Sequence, residues 1–456
     1  MSEVPGMGEA PDQGSAPDQS SAPDQGSAPG PGPGPVAGRD FRLFWFGETT
    51  SLLGNSIAVV ALPLVAVLTL DASTFVVGLL TSVAYLPWLI LGLPAGAWVD
   101  RLPRRPVMLV ADVVAFVAFV SVPVAAWAGV LTIAQLLAAA FVGGCANVFF
   151  TTAQRAYLPV LVRDEELLAG NARLQGSEST TEVIGPGLAG MLVQAFGAVA
   201  GLVANALSFL VSWLCLRAIR TPEPPPPAVE RRRLRAEVGD GLRFLFRDPV
   251  LRSLAVFSAV SNIALTGLGS IEVAFLVRTV GAGEAATGVV LTLCGLGGIL
   301  GVLLSPRVSA RYGTARAVLI CHAGAAPFTL LFPLTGPGFG LAFFVIGGVG
   351  CGAGVVAACV ITDTFRQRYC PPDLLGRVSA SAAVTSFGAI AVGGLLGGTL
   401  GALSGVRETM WMLSGLQVMA TVILFCGPIR RMRDFPESAH TMTHTITEVD
   451  TEKALS

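Results

Sequence analysis

Gly96-Ala-Trp-Val-Asp100-Arg101-Leu-Pro-Arg104-Arg105 stands between two long apolar runs, one ending near residue 97 and the next beginning near 106. A helix needs roughly 20 apolar residues to cross the hydrocarbon core, so a short charged stretch between two such runs reads as the loop joining two membrane-crossing helices. Working outward, further runs lie near 43–70, 74–97, 106–128, 131–152, 174–195 and 198–219. After a polar break come 250–278, 285–304, 315–334, 338–362, 378–403 and 408–428. The expected fold is an all-α membrane protein with twelve transmembrane helices in two six-helix pseudo-repeats.

The segmentation follows from the same runs. Residues 1–40 form a Pro/Gly-rich tail in which Ala10-Pro-Asp-Gln-Gly-Ser recurs at Ala16 and Ala22, and 429–456 form a polar tail. The first tail is too poor in apolar residues to offset its ordering entropy, and it lacks the apolar core of a signal peptide. The halves are 41–220 and 249–428, joined by a linker, 221–248, that carries Pro224 to Pro227 and Arg231-Arg232-Arg233.

Arginine placement orients the spans. With both termini cytoplasmic, every arginine falls inside except Arg278 and Arg407. The inside set includes Arg39, Arg101, Arg104, Arg105, Arg163, Arg307, Arg311, Arg366, Arg377 and Arg430. The chain is therefore read as a multi-pass protein of the inner or plasma membrane.

Composition removes several function classes. The 456 residues are 53% hydrophobic and 13% charged, about half the charged fraction of a soluble protein. A net charge of −1 provides no field to recruit nucleic acid. Eight cysteines form no CxxC, and the three histidines are scattered, so no metal site or cofactor is expected. Neither a nucleotide-binding loop nor a nucleophile–base set appears, which argues against an enzyme. The expected partners are a small-molecule substrate, protons and membrane lipid, with the protein a monomer.

The two halves echo each other. Gly96 to Arg101 closes the second span as Gly301-Val-Leu-Leu-Ser305-Pro306-Arg307 closes the eighth. Arg155-x-Tyr157-x-Pro159 follows the fourth as Arg366-x-x-Tyr369-x-Pro371 follows the tenth. Repeated halves put a substrate path between them near the midplane.

With these residues on view, positions 41–430 resemble the major facilitator superfamily. The loop quoted first matches its G-x-x-x-D-R-x-x-R-R signature through Gly96, Asp100, Arg101, Arg104 and Arg105. The resemblance implies a latch between the halves in the outward-open state, with Asp100 making the interhelical contact and Arg105 more solvated. Ordinary positive-inside charge accounts for Arg104 and Arg105 alone. Gly176, Gly185, Pro186 and Gly190 resemble the G-x8-G-P-x-x-G-G element of proton-coupled exporters, with Ala189 in place of one glycine; close packing of a bent helix explains them equally. The first span, the stretch from Gln154 to Ala172, and Pro372-Asp373-x-x-Gly376-Arg377-Val378 resemble a narrower group of enterobactin-type and macrolide-efflux exporters. The fourth-span arginine of many such exporters is absent, and Ser305 stands where a second latch aspartate would.

Ionisable residues at lipid depth are functional candidates. Glu182 lies at the middle of span five, with Glu178 one turn earlier on the same face. Loss of water and mutual repulsion favour a shared or exchangeable proton there, with Glu182 leading. Glu48 and Glu272 either join the proton route or snorkel to an interface, and Arg278 is a candidate partner for Glu272. Asn55 and Asn262 are read as cavity residues, Asn147 and Asn205 as packing residues, and Asp112 as a partner of loop arginines. Trp45, Tyr85, Trp88 and Trp127 read mostly as interface anchors. The function these readings imply is proton-coupled export of a hydrophobic or amphipathic small molecule, such as a drug, macrolide or siderophore-like metabolite. Nutrient import by the same fold, and a non-transporting membrane sensor, stay open.

Overall fold

The computed structural model describes residues 38–99, 101–163, 166–223, 243, 245–370 and 372–436. Most of the expected tails, most of the linker with its arginine cluster, and Asp100 of the signature loop lie outside the described residues.

Among the described residues the long α-helices are, first, α1 Arg39–Leu68, α2 Thr74–Val99, α3 Arg104–Trp127, α4 Ile133–Leu161, α5 Leu167–Phe196 and α6 Ala200–Ala218. Then come α7 Pro249–Ala274, running into a π turn at Phe275–Thr279, α8 Glu284–Tyr312, α9 Thr314–Thr329, α10 Leu341–Tyr369, α11 Pro372–Ser404 and α12 Val406–Cys426. Local chemistry sets several boundaries. Thr132 accepts the Gln135 N–H at the start of α4. Asp248 caps α7 by accepting the N–H groups of Val250 and Leu251, with Pro249 in the first turn where a missing donor costs nothing.

Ten described helical segments are long and apolar enough to cross a membrane. The exceptions to the twelve-run reading are α5 and α9. Helix α9 has only 16 residues, because the chain leaves the helix after Thr329 rather than continuing to 334 as the apolar run suggests. Helix α5 has length but carries Asn171, Arg173, Gln175 and Glu178 in its first half and Glu182 at its middle.

Helix pairing has an internal rule. Helix α1 packs on α5 and α6, α2 on α4, and α3 on α4 and α6. Adding six to every label gives the packing of the later helices: α7 on α11 and α12, α8 on α10, α9 on α10 and α12. The most extensive pairings between the first six helices and the last six are α2 with α11 and α5 with α8, which the same shift interconverts; α7 also touches α1 and α2.

Hydrocarbon outside the bundle is as apolar as leucine inside it, so close backbone approach and interhelical hydrogen bonds must hold such helices together. Glycine supplies the approach. A Cβ on Gly190 would stand 2.9 Å from the Gly288 Cα, and one on Gly78 would stand 2.5 Å from the Gly398 Cα. Both contacts lie at the end of the bundle where α2 and α8 begin, called here the far end. The near end is where α1 begins.

Acidic residues tie the near end. Glu223, beyond α6, accepts the N–H of Arg104 (2.6 Å) and of Arg105 (3.1 Å), capping α3. Asp434, beyond α12, accepts the N–H of Thr314 at 2.8 Å, capping α9. Gly313, which links α8 to α9 with φ +87°, passes so close to Arg433 that a side chain has no room.

Candidate functional site

One face of α1 presents Glu48, Ser51, Leu52 and Asn55 to a cavity of about 640 Å³ lined from mid-depth to the near end. Their spacing of three or four residues is one helical face. On α5 the polar residues Asn171, Gln175, Glu178 and Glu182 follow the same spacing, and the first three line this cavity or its mouth. The opposite side of α5 exposes Ile184 and Met191, as a lipid-facing surface should. Helices α1 and α5 are held in register by Ser177, which receives hydrogen bonds from Trp45 Nε1 (2.8 Å) and Thr49 Oγ1 (3.0 Å).

The mid-depth end of the cavity is aromatic. Trp88 stacks on Phe387 of α11 with ring centroids 4.5 Å apart, and Tyr85 lies 6.5 Å from the same ring. These rings cross from the first six helices to the last six. Tyr85 and Trp88, expected as interface anchors, thus line the cavity instead, while Trp45 is tied to Ser177 near the start of α1. Trp127 does fit that expectation, 73% exposed at the far end of α3.

The lining is predominantly acidic, with Glu48, Asp112 and Glu178 against Arg155. Glu48 is 6% exposed, its Oε2 has no hydrogen-bond partner, and the charged groups acting on it are the carboxyls of Asp112 and Glu178. Asp112 is buried and accepts a hydrogen bond of 2.7 Å from Ser212 on α6, rather than pairing with a loop arginine as expected. Glu178 is exposed and accepts from Gln175 Nε2 at 2.9 Å. Glu182 is exposed too. The carboxyl that the sequence places deepest in the membrane is therefore exposed, and the carboxyls of the cavity lining that are kept from water are Glu48 and Asp112.

Other expected site residues fall as follows. Asn55 lines the cavity, and so does Asn147, which was expected to pack. Asn205 is fully buried, with both amide atoms unpartnered. Asn262 lines a second cavity, of about 330 Å³, among α7, α9, α10 and α11. Glu272 is not the partner of Arg278; that guanidinium turns to Asp71, at 2.8 Å, and to the carbonyls of Ala72 and Val67. Asp71 sits in the α1–α2 turn and Arg278 in the π turn after α7, so these contacts bridge the far end.

The two glycine motifs divide in the same way. Gly185 packs against Ser56 and Gly190 against Gly288, but a side chain on Gly176 or Gly96 would meet open space. In the signature loop, Arg105 is not the solvated member. Its Nε donates to the Leu216 carbonyl and its Nη2 to the Arg217 carbonyl, both at 3.0 Å, where the last carbonyls of α6 need donors. Arg104 pairs with Glu223 at 3.6 Å. These contacts stay within the first six helices and the segment after them.

Contacts between the first six and last six helices, from the Trp88–Phe387 stack to Gly190–Gly288 and Arg278–Asp71, run from mid-depth to the far end. Both cavities are lined by residues from mid-depth to the near end.

The sequence model described as Major Facilitator Superfamily matches residues 44–393. The multidrug efflux pump Tap of Mycolicibacterium fortuitum is 27% identical over 402 residues, which is 86% of this chain and 96% of that protein. A solved structure of a nucleoside transporter, the NupG D323A mutant, superimposes with a TM-score of 0.74 at 12% identity, covering 85% of this chain and 99% of that one. A bacterial homologue of the iron transporter ferroportin superimposes with a TM-score of 0.70 in its inward-facing state, at 17% identity over 85% of this chain and 98% of that one. In its outward-facing state the TM-score falls to 0.58, at 18% identity over 85% and 99%.

Proposed function

The chain belongs to the Major Facilitator Superfamily, and from that premise we propose that it is a proton-coupled exporter of a hydrophobic or amphipathic small molecule. It is a multi-pass transporter of the plasma membrane, and its similarity to an efflux pump along nearly its whole length supports export over uptake. The proposal includes twelve spans with both termini in the cytoplasm, so that the near end is the cytoplasmic one and the cavity is in its loading position.

One observation carries the mechanism: a buried carboxyl with an unpartnered oxygen, Glu48, stands beside a cavity large enough for a drug-sized molecule. An ionised carboxylate without a partner is expensive away from water. Glu48 binds a proton in the closed surroundings and releases it when the opposite state hydrates it. Glu178, which lines the cavity, and the exposed Glu182 act on the entering substrate instead and exchange protons with Glu48. The aromatic wall of Tyr85, Trp88 and Phe387 receives the apolar part of the substrate and reports occupancy to both sets of six helices, because it is built from both. Rocking of one set against the other then exposes the site to the far end.

The test is substrate efflux from vesicles under an imposed pH gradient. Glu48→Gln should retain substrate binding while losing gradient-driven efflux. Full gradient-driven efflux in that variant would move the proton to Glu182 or Glu178.

A further inference from the structure

The second cavity, among α7, α9, α10 and α11, differs in chemistry from the acidic one. The charged side chains lining it are Asp363 and Arg366, and they pair with each other along α10. Its walls are otherwise mainly apolar, with Leu251, Leu254 and Leu265 among them, and carry a set of neutral hydrogen-bonding groups: Ser258, Ser261 and Asn262 on one face of α7, and Thr362 and Thr385 from α10 and α11. His322 lines the cavity from α9, only 5% exposed, with its ring centroid 4.3 Å from that of Phe257. Its Nδ1 has no hydrogen-bond partner.

We propose that this cavity is a second substrate subsite, which takes an uncharged, hydroxyl-bearing part of the transported molecule and hydrogen-bonds it through His322. The inference rests on the transport reading above and adds to it the chemistry of one substrate portion. Three observations support it. A volume of about 330 Å³ falls within the range of small-molecule sites. A buried imidazole nitrogen without a partner is rare enough to require an explanation, and a ligand hydroxyl or carbonyl supplies one. The internally paired Asp363 and Arg366 leave no excess charge to favour an ion, while a purely apolar guest would strip water from several hydroxyls and one amide without replacing its hydrogen bonds.

Cys359 lines the same cavity and is exposed, which gives a local readout. The experiment uses the full chain in nanodiscs, with the other exposed cysteine removed as Cys426→Ser, and follows N-ethylmaleimide alkylation of Cys359 by peptide mass spectrometry. Octyl β-glucoside and octyltrimethylammonium, both below micellar concentration, serve as probes. They share one chain and differ in a polyol against a cationic head. The glucoside should protect Cys359 and the ammonium, at equal membrane loading, should not. His322→Phe keeps an aromatic ring against Phe257 and should raise the glucoside concentration for half-protection roughly tenfold, the effect of losing one good hydrogen bond. Ser261→Ala, on the facing wall, should move it in the same direction and serves should the histidine variant fold poorly. No protection by the glucoside, equal protection by both probes, or an unchanged midpoint in the variants would each overturn the subsite; the last would assign the His322 partner to water. Gradient-driven efflux enters none of these arms, so a failure here leaves export standing, and a failure of export leaves these arms readable.

Discussion

Arg278, on the π turn that ends α7, holds the carboxylate of Asp71 at 2.8 Å and thereby ties the last six helices to the turn between α1 and α2. The same guanidinium donates to the Ala72 carbonyl at 2.7 Å and the Val67 carbonyl at 3.3 Å. Asp71 adopts φ 44°, a left-handed conformation that aspartate tolerates better than most residues.

That clamp should bias the protein toward the state closed at the far end. Arg278→Ala removes two carbonyl hydrogen bonds as well as the ion pair, about 1 kcal/mol for each hydrogen bond, and should shift the equilibrium toward far-end opening by roughly tenfold or more. Asp71→Asn, which keeps the backbone preference and loses only an exposed charge, should shift it less. Spin labels at the exposed far-end positions Val130 and Phe339 report the outcome as a longer distance population. No change in that distribution for Arg278→Ala would remove the clamp.

Closure also depends on glycine at the crossing of α5 and α8. Gly288→Val puts branched carbon where the Pro186 carbonyl and the Gly190 backbone already lie within 3 Å of a first Cβ. Overpacking of this kind typically costs about 1–3 kcal/mol, and here all of it falls on the far-end-closed state. Transport should drop at least tenfold at equal membrane expression. Gly176→Ala, into open space, should transport normally. Efflux assays on the two variants decide between a closure role and a general glycine requirement of the motif.

Topology is testable without a substrate. Alkaline phosphatase fused after Ser456 should be inactive, and the same enzyme inserted after Gly129, in the turn between α3 and α4, should be active. The reverse pattern would invert the orientation and place the open cavity on the outside.

The cap on α3 gives a stability prediction. Glu223→Ala leaves the N–H groups of Arg104 and Arg105 without their acceptor, and loss of such a cap costs about 1 kcal/mol. The thermal midpoint should fall by a few degrees, and Glu223→Gln should recover part of it. An unchanged midpoint for Glu223→Ala would mean that water caps the helix equally well.

Much of the architecture was legible because crossing a membrane demands long apolar runs, and the arginines between them mark the loops. The polar face of α5 was legible too, since Asn171, Gln175, Glu178 and Glu182 keep helical spacing. What depth along a helix cannot reveal is azimuth. Glu182 is mid-depth by count, yet it is exposed; Glu48, nearer the helix end, is buried. Partner choice was equally hidden. Arg278 is six residues from Glu272 in sequence, and only the packing of α7 beside the α1–α2 turn offers it Asp71 instead. Tyr85, Trp88 and Phe387 gave no signal, because a stack across two halves has no sequence period. The glycines at 78, 288 and 398 were lost among 54 glycines, because composition does not tell which of them meet another helix.

The chain's last described segment sets a practical limit on how the protein can be trimmed. Phe435 is buried, stacks on Phe365 with centroids 4.2 Å apart, and donates its N–H to Thr314 Oγ1 at 2.9 Å, beside the Asp434 cap. An affinity tag or fluorescent fusion placed where α12 stops, at Cys426, would therefore cut away the lid of α9 and unsettle a helix more than a hundred positions earlier. The same appendage attached beyond Pro436 leaves that lid seated, so the natural cloning boundary lies about ten residues past the final helix.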